Sequence, residues 1–488
     1  MLGLMHALTS LSLTQMHRAL RDATVSAPDL LEAHIERIQS LDHSINAVVL
    51  RDFGRARVQA ADSAKRLAQG TGRALEGIPI TIKESINVTG LPTSVGNPDD
   101  RGFVSAHDAP TVARLRAAGA VILGKSNVPP EMADWQAANP VYGRTNNPWD
   151  RARTCGGSSG GGAALSAGFC ALDIGSDIGG SVRVPAAFCG VYGLRPSETL
   201  VPRSGQYPIP PTPNWGAVLG AQGPLARSAQ DIEHVLGVLA GPDVGEDKAW
   251  RVSLPAPRCN TLRGARIALL ELPEFAPIDP DTLAARQRLI ERLRTAGAVV
   301  QTAQPQAMED WRAHYQLYLR LLHYMMSPRW DDSKRQVAIE RLRGVDDEFA
   351  MAQIEGLRCT GAQLFGWHLQ REQYRAAWRA FFCEWDAMLT PAFHTPAFEH
   401  KIFDGPALGF GATTHSVQVG NASVPYTRGL FYPHVSTLAG QPAIAFPVGV
   451  SRAGLPLSMQ LIGPYLEDLT VIRLAGLMAE PINMPTLR

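Results

Sequence analysis

The sequence predicts an α/β protein, and three observations carry that expectation. Ile78, Ile80 and Ile82 alternate as in a strand, which sets Thr81 and Lys83 on the opposite face and puts Lys83 at the strand end. A helix over Thr111 to Ala118, closed by Gly119 and followed by the apolar run Val121 to Leu123, gives a helix-then-strand order that recurs near Leu293 to Val300. Both stretches contain the string L-R-x-A-G-A-V, which reads as one kind of helix-to-strand turn used twice rather than a repeat architecture. The chain of 488 residues is 45% apolar and 19% charged, a balance that buries a large core and keeps a polar surface. Its length suits two or three average domains or one large α/β unit around a wide sheet.

The elements follow in order. The first 70 residues read as helices that pack outside a sheet; Ser26 caps one that has Pro28 in its first turn and Leu31, Ile35, Ile38 and Leu41 at helical spacing. Gly156 to Gly193 is rich in glycine and serine, yet a helical stretch, Ala163 to Ala167, and a strand-like stretch, Ala171 to Ile174, interrupt it. That pattern is foreign to a flexible linker. The proline-rich Pro202 to Pro213 suits a connection between two parts of the fold. Residues 305 to 390 read as helical and hold Trp311, Trp330, Trp367, Trp378 and Trp385, which fits either helix packing or a cap over a substrate. From Asp386 the segments "DAMLTP" and "PAIAFPVGV" bring the chain back to the central sheet.

Lysines and arginines number 46 and aspartates and glutamates 45, so no excess field exists to hold phosphates or an anionic membrane, and no nucleic-acid or membrane partner is expected. The cysteines at 155, 170, 189, 259, 359 and 383 form no C-x-x-C pair or zinc-like group, so free thiols and no metal or cofactor are expected. Met1 to Leu13 lacks the basic start, apolar run and cleavage site of a signal peptide, and no run approaches the roughly 20 apolar residues of a membrane span. A cytoplasmic protein is the expectation.

Two clusters can present a hydroxyl on exposed backbone: "GGSSGGG" at 156–162, before a short helix, and "GSDIGGSVRVP" at 175–185, after a short strand. In the second, Gly179 and Gly180 precede Ser181, so successive N–H groups can turn inward and form a nest for a developing oxyanion, as acyl transfer requires. A serine is a poor nucleophile without a base in reach, directly or through another hydroxyl. None of the thirteen histidines lies in either cluster or beside Lys83, which leaves a histidine base open but without support. Asp177 and Arg183 flank the nucleophile loop and read as its braces.

Five strings in order resemble the amidase signature family: "GIPITIKESINVTGLPTSVGN" at 77–97, "GKSNVPPEMADW" at 124–135, "YGRTNNPWD" at 142–150, "GGSSGG" at 156–161 and "GSDIGGSVRVPAAFCGVYGLRPS" at 175–197. "GAQGPLARS" at 220–228 and "GLPLSMQLIGP" at 454–464 extend the likeness over most of the chain. The resemblance implies a single domain over 1–488 with a large mixed β-sheet flanked by helices on both faces. Its parts would be N-terminal helices at 1–70, a catalytic core at 71–260, a variable, mostly helical pocket region at 300–430 and a return to the sheet at 431–480. It implies a Ser-Ser-Lys triad in which Ser181 is the nucleophile, Ser158 the proton relay and Lys83 the general base, with the amides of Ile178, Gly179, Gly180 and Ser181 holding the oxyanion. Met132, Gly157 and Asp177 would lie at the substrate pocket, and the Gly157–Ser158 peptide would be cis. The substrate would be a small-molecule amide, with ester or carbamate cleavage as a side activity, and a homodimer is compatible.

Such a base must be substantially neutral, about three units below its usual value near 10.4, so Lys83 should be desolvated rather than exposed or paired with Glu84. Ser158 also fits a helix N-cap. Cys155 stands where the family commonly has proline, and the stretch from Ser158 to Asp177 is one residue short; Asp173 interrupts an apolar strand without evident reason. Gly156 to Gly160 also satisfies the G-x-S-x-G elbow of α/β hydrolases, but the polar "NNPWDRART" before it is no strand. Within the family the rival is the amidase component of a glutamine-dependent tRNA amidotransferase. There a stretch like "SLDQIGP" is expected where this chain has "NWGAVLGAQGP" at 214–224. Tyr318, Trp330, Phe410 and Phe431 fit an aryl or other apolar acyl pocket, and equally fit the core.

Overall fold

In a computed structural model of the protein, residues 7–480, 482–485 and 487 are described, apart from 208, 210, 211, 213–217, 307, 309 and 403–414. Eleven strands pair into one sheet. They are β1 (Val48–Arg51), β2 (Pro79–Lys83), β3 (Val121–Ser126), β4 (Leu172–Asp177), β5 (Tyr192–Arg195), β6 (Ala221–Ala226), β7 (Arg266–Leu269), β8 (Val299–Thr302), β9 (Ala387–Pro391), β10 (Ala443–Val450) and β11 (Pro456–Ile462). In space they run β1-β3-β2-β4-β6-β5-β10-β11-β9-β7-β8. The sheet is mixed: β2 is parallel to both β3 and β4, β6 is antiparallel to β4 and β5, and β9 is antiparallel to β11 but parallel to β7.

The expected strand around Ile80 is present, and both of its faces are covered. Every residue of β2, β3, β4, β6, β9 and β11 is buried, so both faces of the sheet are covered, and Thr81 and Lys83 are as enclosed as the isoleucines. The two L-R-x-A-G-A-V stretches make the same turn. Helices Pro110–Ala117 and Pro280–Thr295 end ahead of Gly119 and Gly297, which adopt φ of +93° and +86° and feed β3 and β8.

Helices Leu13–Arg21, Ala27–Ile45 and Phe53–Ala68 occupy the N-terminal region, and Ser26 caps the second by accepting from the Asp29 amide. Within this region β1 departs from the all-helical expectation. Asn46 turns left-handed at φ 58°, and the buried Asp42 carboxylate accepts from the Ala47 and Val48 amides at 2.7 and 3.2 Å, so the chain leaves the helix and pairs antiparallel with β3. Helices Trp311–Met326, Asp332–Arg343, Ala350–Leu357 and Gly361–Phe381 fill the expected helical region, where Trp311, Trp330, Trp378 and Trp385 are buried as packing residues. Most of the proline-rich connection after Tyr207, and Phe410, lie outside the described residues.

The β1–β3 contact leaves no room at Gly124, where an added Cβ would sit 1.9 Å from the Leu50 carbonyl oxygen, whereas one at Gly54 would meet open space. Gly124→Ala is expected to lower unfolding stability by about 1–3 kcal/mol in urea titration. Gly54→Ala is expected to leave stability unchanged or slightly raised.

Candidate active site

The parallel pairing of β2 with β4 brings the end of one strand to the loop that follows the other. Lys83, fully buried at the end of β2, donates from Nζ to Ser158 Oγ at 2.8 Å, to the Ser176 carbonyl oxygen at 3.2 Å and to Ser176 Oγ at 3.1 Å. Burial drives its pKa down to about 7, against the opposing charges of Asp177 and Asp173. Glu84 is not its partner: the Glu84 carboxylate accepts from the Ser94 amide and hydroxyl, the Val95 amide and Tyr142 Oη.

The Gly157–Ser158 peptide is cis. A Cβ at Gly157 would lie 2.3 Å from the Asp134 carbonyl oxygen, so this turn packs backbone against backbone. Ser158 is not a helix N-cap. Gly160 caps helix Gly161–Ser166, and Ser159 Oγ accepts from the Gly161 amide at 3.1 Å, while Ser158 lies two residues before the cap and faces Lys83.

Ser181 is 2% exposed, and among the described residues its Oγ has no hydrogen-bond partner, so neither Ser158 nor any described histidine holds it. The expected four-amide nest needs one correction. The Gly180 N–H donates to Asp177 Oδ1 at 2.9 Å, whereas those of Ile178, Gly179 and Ser181 have no protein acceptor among the described residues. Tyr318 Oη donates to the Ile178 carbonyl at 2.9 Å and Trp135 Nε1 to the Gly179 carbonyl at 3.4 Å. A trans peptide points its N–H opposite its C=O, so these two side chains set the directions of the Gly179 and Gly180 N–H groups.

Asp177 lies buried inside the loop. It accepts from the Gly180 and Val182 amides and forms a fully buried ion pair with Arg183, at 2.8 Å to Nη2 and 3.0 Å from Nε. Burial alone would raise its pKa, but the charge and hydrogen bonds of Arg183 hold it at about 2. Arg183 in turn donates to the Pro433 carbonyl, Ser436, Thr437 and Gln460, tying the loop to the C-terminal part of the sheet.

Met132 is 8% exposed and adopts φ 61°, directly after Glu131 at φ 53°. Its sulfur lies 3.8 Å from Ser176 Oγ and 3.1 Å from Gln206 Nε2, and Gln206 Nε2 lies 2.6 Å from Ser176 Oγ. Sequence reasoning misses both Ser176 and Gln206. Ser176 sits within "GSDIGGS", where its place one residue before Asp177 is the available signal; nothing local marks Gln206.

Asp173, unexplained by pattern, accepts from Thr81 at 2.7 Å and Ser159 at 3.1 Å and so joins β2 to the Ser158 turn. Burial raises its pKa to about 6 despite those bonds. Cys155 is buried, and burial pushes its thiol up to about 12, so little thiolate forms near neutral pH. Among the aromatic pocket candidates, Tyr318 is spent on the loop, Trp330 donates to Glu131 at 2.8 Å, and Phe431 is fully buried against Phe275 and Tyr315.

A family model described as Amidase matches residues 29–472. One component of the glutamyl-tRNA(Gln) amidotransferase of Deinococcus radiodurans is 32% identical over 95% of this chain and 95% of its own length. The indoleacetamide hydrolase of Bradyrhizobium diazoefficiens is 29% identical over 93% of this chain and 83% of its own. A crystal structure of an amidase superposes with a TM-score of 0.75 at 26% identity, covering 96% of this chain and 99% of that one. The chain therefore belongs to the amidase signature family of hydrolases acting on carbon–nitrogen bonds in amides other than peptides. Among the described residues no helix is long and apolar enough to cross a membrane.

Removing Arg183 strands a buried carboxylate. Arg183→Met is expected to destabilise the protein by about 3–5 kcal/mol in chemical unfolding. The double variant Arg183→Met with Asp177→Asn should recover part of that loss.

Proposed function

We propose that the chain is a free amidohydrolase that acts through a Ser181 acyl-enzyme, with Ser158 as relay and Lys83 as general base. The observation that carries this reading is the 2.8 Å contact between Lys83 Nζ and Ser158 Oγ in a site dry enough to bring the lysine to about 7. A base poised near neutrality combines the right protonation state with useful proton affinity. Ser158 gives its proton to Lys83 and takes one from Ser181, whose Oγ attacks the amide carbonyl carbon. The carbonyl electrons move onto oxygen, where the amides of Ile178, Gly179 and Ser181 receive them. Collapse expels the amine, which takes a proton back from Ser158 as Lys83 re-protonates Ser158. Water then attacks the acyl-enzyme by the same path, releasing a carboxylic acid and restoring Ser181.

The Ser181 hydroxyl, unpartnered among the described residues, supports this role, because an unpaired buried hydroxyl costs about 1–3 kcal/mol and is retained where a reacting partner completes it. The substrate we infer is a small-molecule carboxamide, with esters or carbamates as secondary substrates. The amidotransferase reading has one observation in its favour, the 32% identity to the Deinococcus radiodurans protein. The near-zero net charge, +1, and the segment at 214–224 weigh against it.

Amine or ammonia release from a panel of aryl and aliphatic carboxamides, anilides and carbamates tests the reading. Ser181→Ala, Ser158→Ala and Lys83→Ala are each expected to lower kcat by at least about a hundredfold while the fold persists. No release by folded wild-type protein alone, with release restored by partner proteins and glutamine, would establish the amidotransferase instead. Lys83 must be unprotonated to act, so kcat/KM is expected to rise with pH through about 7 and to fall tenfold per unit well below it.

A further inference from the structure

We propose that Gln206 is a positioning residue that directs the lone pair of Lys83 onto Ser158; this rests on the reading of Lys83 as the base. A neutral amine has two N–H donors and one lone pair, and Lys83 Nζ has three oxygen neighbours. The Ser176 carbonyl can only accept, which uses one N–H. Ser176 Oγ is ambiguous, because a hydroxyl can accept the second N–H or donate its own proton to the lone pair. In the second arrangement Ser176 occupies the electron pair that Ser158 needs, and the relay is blocked.

Gln206 removes the ambiguity. Its Nε2 lies 2.6 Å from Ser176 Oγ and donates into it, while Met132 Sδ, 3.8 Å from the same oxygen, receives the Ser176 O–H. The second Nε2 proton points to Met132 Sδ at 3.1 Å, which fixes the thioether where it accepts. With its own proton turned to sulfur, Ser176 Oγ accepts from Lys83, and the lone pair is left for Ser158. The outcome does not depend on how the amide is turned, since a Gln206 oxygen facing Ser176 would accept the same O–H and keep it from Lys83. Met132 and Gln206 thereby act on the base, in addition to any contact with substrate.

The other charged groups around Lys83 are committed elsewhere, which makes Gln206 a clean place to perturb. Asp173 is held by Thr81 and Ser159, and Asp177 by Arg183. Glu84 serves Ser94, Val95 and Tyr142, while Lys125 on the neighbouring β3 donates to Pro92 and Thr93. On the Met132 turn, Glu131 is paired with Lys334 and Trp330, and Asp134 with Tyr426. Arg203, on the segment of Gln206, reaches toward the Gly220 carbonyl. Gln206 is partly exposed, so substitutions there leave the core intact.

The test is the pH dependence of Ser181 phosphonylation by an alkyl fluorophosphonate, followed by intact mass, in wild type, Gln206→Met and Gln206→Glu, with amide turnover and thermal melting alongside. Gln206→Met keeps the length and loses the amide; the plateau rate is expected to fall about tenfold, the size of one lost hydrogen bond, with KM nearly unchanged. Gln206→Glu keeps an acceptor for the Ser176 O–H but adds a negative charge that favours the ammonium form of Lys83; the acid limb is expected to move up by about one pH unit. The charge of Gln206→Glu moves the limb whatever the native role of Gln206, so the plateau rate decides. Because the carboxylate still accepts the Ser176 O–H, the Gln206→Glu plateau is expected to return close to wild type. A Gln206→Glu plateau as low as that of Gln206→Met, or a Gln206→Met plateau equal to wild type, overturns the proposal. Wild-type protein that is not labelled at Ser181 overturns the triad reading and this inference together; labelled wild type with no rescue of the plateau by Gln206→Glu overturns this inference alone.

Discussion

A single amine held away from water sets the terms for the whole site. An ammonium at Lys83 would lose its hydration on both sides of the sheet, and the charges of Asp177 and Asp173, the first paired with Arg183, offset only part of that loss. The lysine therefore drops to about 7. That outcome requires a sheet covered on both faces and loops that bring hydroxyls instead of charges to the strand end. The parallel register of β2 with β4 supplies the second condition by placing Ser176 next to Nζ.

The nucleophile loop depends on a different buried charge. Asp177 gathers the Gly180 and Val182 amides, Arg183 neutralises it, and the remaining donors of Arg183 reach Pro433, Ser436, Thr437 and Gln460. Residues some 250 positions downstream thus hold the turn that presents Ser181. Tyr318 and Trp135 pin the neighbouring carbonyls from the helical region and the Met132 side. The loop is shaped from outside, which leaves the Gly179 and Ser181 amides free to face a substrate.

Local chemistry makes much of this legible in the sequence. The strand at Ile80 and the two L-R-x-A-G-A-V turns follow from side-chain period and glycine conformation, and Lys83, Ser158 and Ser181 stand in contiguous strings. What is not legible arises from pairings across long separations. Asp173 reads as a fault in an apolar strand because its partners, Thr81 and Ser159, lie on another strand and another turn. Tyr318 and Phe431 fit a pocket by composition, yet one orients a peptide group and the other fills the core, a distinction that only their neighbours decide. Motif position assigns the Gly180 amide to the oxyanion, whereas the carboxylate of Asp177, three residues back, takes it first. Gln206 reaches Ser176 from a segment whose proline content reveals only a connection.

The central claim is that Lys83 is a neutral amine near physiological pH, and the direct measurement is an NMR titration of lysine side chains labelled with 15N at Nζ. The chain carries Lys65, Lys83, Lys125, Lys248, Lys334 and Lys401, so a Lys83→Met variant assigns the signal. The account predicts a Lys83 midpoint of about 7, well below the ordinary lysine value of about 10.4. A Lys83 signal that stays an ammonium through pH 9 would contradict it.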